Sequence, residues 1–386
     1  MRFTEKPRRK ARLFLLLLML AASGVTADEV ADARKLSEAR PQHPTLLYRL
    51  ALALEKNGQR EEAVRALERL AAMGFVYNVE KDFPHERYAE VRKRIARNAE
   101  PIGKSRREFT IDRIGLIPEG MAFDGKRFFV GSVRSKTIFA DGKEFATARW
   151  GVFGMCADPK RGVLWATTTA LPQVEGFVEE DKGKSALLKI DLRSGTVLET
   201  FVVEGAHHFG DVTVAPDGEV YVSDSASPVI YVLRKTLEPF VKRDFVSLQG
   251  LAVSGRTLYV ADYSKGLFAI DRRTLDVQPL RVPSNVSLLG VDGIYAVDAT
   301  TLVATQNGTS PNRIIRIRLA PGGLRVIAVD TLLANRPELG DPTLGVVAND
   351  RFFFNARGGW DLFGEDGKIS DPLKLSEAVV LSVTVK

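Results

Sequence analysis

The chain has 386 residues, 45% of them hydrophobic, which is more than one average domain needs to build a sizeable core. Its formal net charge is +7, but residues 1–27 hold six basic side chains against one acid, so the rest of the chain carries close to +2 and gives no case for a nucleic-acid partner. A single cysteine, Cys156, excludes an intramolecular disulfide, and one cysteine with four histidines leaves no zinc-ligand spacing.

The N-terminus reads as a leader. "MRFTEKPRRKAR" is a basic segment, "LFLLLLMLAA" an apolar one, and "VTA" a small-residue cleavage site ending at Ala27. The apolar run is short for a bilayer span. A cleaved export signal is the expectation, with a periplasmic or secreted product and no stable membrane insertion after cleavage; an uncleaved anchor is the alternative.

From residue 28 to about 106 the apolar period is helical. "HPTLLYRLALALEKNGQREEAVRALERLAAMGF" places Leu50, Ala53, Leu54, Ala63 and Leu67 at three- and four-residue steps around a "KNGQ" break. This resembles one tetratricopeptide-like helix–turn–helix, followed by a weaker helix in "ERYAEVRKRIARNA". One such unit cannot bury its own face, so it must pack on the next domain or dock a protein partner.

From residue 107 to 386 the period becomes two. Short β-rich runs alternate with turn dipeptides, "DG" at 124, 141, 217 and 366, "SG" at 194 and 254, "GG" at 322. Six sets recur at about 40-residue spacing, opening with "EGMAF", "FGMCADP", "GDVTV", "QGLAV", "DGIYAV" and "PTLGVV". The expected fold is therefore a six-bladed β-propeller, all-β, preceded by a small α-helical segment. "EFTIDRI" near Phe109 should close the ring by joining strands from the C-terminus, including "AVVLSVTVK". Cys156, in the apolar "FGMCADP", reads as a buried inert thiol.

The first residues of innermost strands converge at one mouth of a propeller's axis. Here they are Glu119, Phe153, Gly210 with Asp211, Gln249, Asp292, and Pro342 preceded by Asp341. Carboxylates brought together this way repel and call for a cation. Oxygen donors without nitrogen or sulfur point to calcium, ahead of magnesium or manganese. Strand-start polar residues with no role beyond meeting a loop are the plain alternative. Beside the ring lie His207 and His208 in "EGAHHFGD", Asn307 in the turn-like "QNGT", and Asn355, Arg357 and Trp360 in "NARGGWDL"; of these, His207, His208, Asn307 and Arg357 are candidate substrate contacts.

On "PEG", "FGD", "QGL" and "VDG" the residues after 107 resemble the superfamily of gluconolactonase and regucalcin, paraoxonase and strictosidine-synthase-like six-bladed propellers. The resemblance implies a metal held by Glu119, Asp211, Gln249 and Asp292, with Asp292 also acting as base toward water, in hydrolysis of a small lactone or ester. Gly210 stands where the family has Asn, and Gln249 replaces another Asn, so the implied ion site is altered. A non-catalytic binding propeller, with the helical segment recruiting a partner, is the second reading.

Overall fold

The computed structural model describes residues 27–386; the leader read from the first 26 residues lies outside them. No helix among the described residues is long and apolar enough to cross a membrane.

Twenty-four strands form six four-stranded antiparallel sheets. Blade one is β1-free and runs outward as β2 (Pro118–Phe123), β3 (Phe128–Ser132), β4 (Thr137–Ala140) and β5 (Lys143–Thr147). Blade two is β6 (Gly151–Asp158) to β9 (Val197–Val202), blade three β10 (Phe209–Val214) to β13 (Leu237–Lys242), and blade four β14 (Leu248–Ser254) to β17 (Val277–Pro279). Blade five is β18 (Val291–Ala296), β19 (Thr301–Gln306), β20 (Arg313–Leu319) and β21 (Val326–Ala334). Blade six pairs β22 (Gly345–Ala348), β23 (Arg351–Asn355) and β24 (Glu377–Thr384) with β1 (Arg106–Ile114), in the order β22-β23-β24-β1. Both ends of the propeller thus share one sheet, the closure expected from "EFTIDRI" and "AVVLSVTVK". Radial repetition leaves no long unpaired edge inside the ring.

Apolar residues of adjacent blades interdigitate to make the core. Met155, Leu164 and Ala166 of blade two pack with Phe129 and Ile138 of blade one, and Ile294 and Leu302 of blade five with Tyr259 and Ala261 of blade four. Cys156 joins the packing between blades two and three, where burial pushes its thiol up to about 12. The residue is only partly buried, less than the sequence reading expected.

Among the described residues four α-helices precede the ring: α1 (Ala27–Ala39), α2 (Pro44–Lys56), α3 (Arg60–Ala72) and α4 (Ala89–Arg97). They bury one face around Leu47, Leu54, Leu67, Phe83 and Tyr88. So few helices do not establish a tetratricopeptide repeat. The segment docks on the same chain's blade five: Val76 N–H donates to the Ser310 carbonyl at 2.8 Å, Asn335 Nδ2 donates to the Asn98 and Glu100 carbonyls at 2.8 and 3.0 Å, and Ile102 and Ala334 exchange backbone bonds. The apolar cluster is made of the segment's own residues, so the expectation that the segment could not bury its own face is corrected: the helices cover one another, and hydrogen bonds hold them to blade five.

Candidate functional site in the propeller axis

Blades one to five share one irregularity, and it builds the site. In each, the innermost strand carries a β-bulge against the second strand, two residues facing one. The bulged pairs are Glu119–Gly120, Phe153–Gly154, Gly210–Asp211, Gln249–Gly250 and Asp292–Gly293. A bulge lifts its residues off the ladder and re-aims their side chains. That is how Glu119, Phe153, Gln249 and Asp292 come to face the axis.

The glycine that follows four of these side chains is needed for close approach. A Cβ on Gly120 would stand 1.9 Å from the Phe153 carbonyl oxygen, and one on Gly250 would stand 2.6 Å from the Asp292 carbonyl oxygen. Neither glycine is in the left-handed region. The glycines let neighbouring innermost strands touch.

Blade three reverses the order. Gly210 takes the outward-aimed position and Asp211 takes the glycine's. Its carboxylate turns into the seam between blades, where Oδ2 accepts from Leu251 N–H at 2.8 Å, and Oδ1 lies where a Gly154 side chain would stand. Burial pushes the Asp211 carboxyl up to about 7; the Leu251 and Val212 N–H groups oppose the rise and the charge of Asp292 adds to it. The folded protein therefore keeps a proton that the unfolded chain releases near pH 4. The stability this confers is complete below that pH and is lost as pH rises through about 7. Metal-free protein should melt at a lower temperature at pH 8 than at pH 5, by an amount on the order of 2–4 kcal/mol. Asp211→Asn should flatten most of that slope; an unchanged slope in thermal melts of the variant would overturn the assignment.

The bulges open on a cavity of about 440 Å³ lined by Glu119, Gln249, Asp292 and Asp341, with Asp211 at its floor. The side chains that line it include no Lys or Arg among the described residues. Asp292 Oδ2 accepts from Asn307 Nδ2 at 2.7 Å, and Asn307 Oδ1 accepts from the Tyr263 hydroxyl at 3.1 Å. The Tyr295 phenol lies beneath; burial chiefly, then the charges of Asp211, Asp292 and Glu119, raise its ionisation well above the ordinary value. Three carboxylates from blades one, three and five thus act on one buried group.

The same lining carries an aromatic wall. Phe153 meets His208 edge-on at 4.8 Å between ring centres and lies nearly parallel to Trp360 at 6.1 Å. The Trp360 indole N–H donates to Glu119 Oε1, which ties wall to acid.

Not every expected contact reaches the cavity. Asn307 and His208 line it. His207 does not: its ring nitrogens face Asp224 Oδ2 at 2.7 Å and the Glu204 carbonyl at 3.0 Å. Arg357 is exposed outside the lining and donates to the Pro337 carbonyl at 2.8 Å. The buried acids Asp224 and Asp262, at the ends of the second strands of blades three and four, hold loops. Asp224 accepts from His208 N–H at 3.0 Å and Asp262 from Val246 N–H at 2.7 Å. Trp360 was noticed in the sequence without being joined to Glu119, 241 positions away.

Whether an ion fits is a question of type and of spacing. The donor types suit a hard cation. The spacing does not make an ion site: among the described residues no three His, Cys, Asp or Glu side chains are grouped to hold a metal. Asp211 is turned toward Leu251, and Gly210 offers no side chain.

No protein-family model matches the chain, and no curated protein matches it significantly. Among solved structures it is similar to a gluconolactonase from Xanthomonas campestris (14% identity, TM-score 0.46, covering 74% of this chain and 99% of that one). It is also similar to virginiamycin B lyase from Staphylococcus aureus (12%, 0.47, 73% and 99%) and to BamB from Moraxella catarrhalis (13%, 0.40, 70% and 83%). Likenesses this remote carry no argument about chemistry.

Proposed function

We propose that this chain is a hydrolase of small lactones or esters that works in the axial cavity. The observation that carries the reading is the set of carboxylates that separate blades aim into one enclosed space with no cationic side chain lining it. Asp292 is the base that takes a proton from the attacking water. Asn307 holds it in place. Because the Tyr263 hydroxyl and the Pro342 carbonyl fix which way the Asn307 amide faces, its Nδ2 presents a donor to Asp292 and holds the carboxylate in one orientation. Glu119 and Gln249 bound the space in which the carbonyl group would lie.

Calcium is the ion that these oxygen donors suit by type, although in their present positions no three acids among the described residues are grouped to hold one, and no step of the reaction is routed through it. Recruitment requires side chains to leave their present protein partners, so loading should be a measurable event. Calcium at a hundredfold excess over its dissociation constant should stabilise the protein by about 2.7 kcal/mol, read as a rise in melting temperature. A chelator should reverse it. No rise at any calcium concentration removes the metal from the proposal.

Export to the periplasm is part of the same reading and rests on residues 1–27 alone. The deciding assay is turnover on a panel of lactones and aryl esters, with and without chelator. Hydrolysis that requires the carboxylate of Asp292 is expected. A purified, folded protein that turns over nothing on the panel would leave a binding propeller.

A further inference from the structure

The cavity is built unevenly, and the unevenness bears on what enters it. Its rings are gathered in one part of the lining: Phe153, His208 and Trp360 form a three-ring wall, continued by Leu171, with Glu119 and Asp341 hydrogen-bonded at its edge.

Trp360 is the part of this wall that does not belong to a blade's inner strands. It stands on a short 3-10 turn, Trp360–Leu362, in the long connection between β23 and β24. Several independent ties hold that turn over the mouth. The Asp341 carboxylate accepts from Gly358 and Gly359 N–H at 3.1 and 2.9 Å, Gln173 Nε2 donates to the Gly364 carbonyl at 2.8 Å, and Phe363 is buried against Ile117, Val133 and Val174. The indole N–H is engaged by Glu119. A ring fixed this way is preorganised and loses little freedom when a ligand packs on it.

We infer that the substrate presents an uncharged aromatic or apolar group to the Phe153–His208–Trp360 wall, and that Trp360 determines this specificity. The inference rests on the hydrolase reading for the word substrate, but the seat itself is a binding claim. Two effects work together. Ring-on-ring packing in a desolvated site favours an aromatic or apolar partner. The acids with no Lys or Arg beside them in the lining repel a carboxylate or phosphate, so an anionic compound of the same shape is rejected. A polyhydroxylated compound gains less there, because its hydroxyls would lose water without finding partners on the apolar wall.

The binding arm uses phenylacetamide, phenylacetate and glucitol, none of which is a lactone or ester. Each is titrated into the full exported chain while the Trp360 indole N–H resonance is followed, assigned by its loss in Trp360→Phe. Phenylacetamide should move the resonance saturably, at concentrations at least tenfold lower than phenylacetate, and glucitol should leave it in place. Phenylacetate binding as tightly as the amide, or glucitol matching it, overturns the inference.

The kinetic arm compares kcat/KM for phenyl acetate with that for gluconolactone. The ratio should favour the aryl ester at least tenfold and fall at least fivefold in Trp360→Ala, through KM rather than kcat, with Trp360→Phe recovering most of it. A ratio untouched by Trp360→Ala also overturns it. Probe discrimination without any turnover would support the seat while the hydrolase reading fails; turnover without discrimination would do the reverse.

Discussion

Asp292→Asn is expected to lower kcat on a hydrolysable lactone or aryl ester by about 100-fold or more. The reason is local. Asp292 occupies the first position of the blade-five bulge, so the backbone, not a mobile loop, aims its side chain at the cavity. Its partner Asn307 follows directly on β19, the strand to which the bulged strand pairs, and donates across 2.7 Å. An amide has nearly the shape of the carboxylate but no useful proton affinity, so the variant keeps the packing and removes the base. The melting temperature should stay within a few degrees of wild type, which separates a chemical loss from a folding one. Asn307→Ala provides a second, smaller readout. It leaves the carboxylate present and removes what holds it, so kcat should fall by about tenfold and the acid limb of the pH–rate profile should move. Turnover that persists in Asp292→Asn and in Asp292→Ala, in protein shown to be folded, would remove Asp292 from the mechanism.

The blades were legible because each strand pair alternates in polarity and ends in a turn dipeptide, and because the spacing repeats. Even the shared sixth sheet could be read, since β1 is apolar, strand-like and otherwise without a neighbour. The axial positions were legible as a set for the same reason: an x-Gly pair recurs at the head of four of the six repeats. What that pair does was not. Alternation reports which face is buried, but it is silent about a two-against-one register. The bulge and the role of glycine in letting strands touch therefore emerged only from the pairing. Blade three held the one available clue. "FGD" has glycine before the acid where "PEG", "QGL" and "VDG" have it after a side chain, and that inversion puts Asp211 in the seam instead of on the rim. Asn307 looked like a turn residue and is at the same time a ligand-facing one; "NG" chemistry and cavity chemistry share the residue. Trp360 meeting Glu119, and the docking of the helices on blade five, are contacts between segments far apart in the chain, about which local pattern says nothing.

That docking leads to the second large effect. Arg313, at the start of β20, is 4% exposed and reaches out of the propeller into the helical segment. Its Nε donates to Gln306 Oε1 at 2.7 Å, and Nη1 donates to the Met73 carbonyl at 3.1 Å, at the C-terminal end of α3, with the guanidinium 4.5 Å above the Phe75 ring. Burial pulls its ionisation down to about 10, so it remains charged at neutral pH. A cation is well placed there, against the carbonyl end of a helix and an aromatic face. Arg313→Ala would strand several buried acceptors at once and open a void, and should destabilise the protein by about 3 kcal/mol. The melting temperature should fall by on the order of 4 °C. Arg313→Met fills the same space without the donors, and should fall between the variant and wild type. Limited proteolysis should then cut between residues 98 and 106 in Arg313→Ala well before it does in wild type, because the helices lose their hold on blade five before the ring itself opens. Gln306 adjoins Asn307, so this anchor lies one residue from the partner of Asp292. The helical segment and the axial cavity are thus tied through a single strand end. Melting of Arg313→Ala within a degree of wild type, with unchanged proteolysis, would show that the helices are held without it, by the backbone bonds at Val76 and Ile102 and the Asn335 amide.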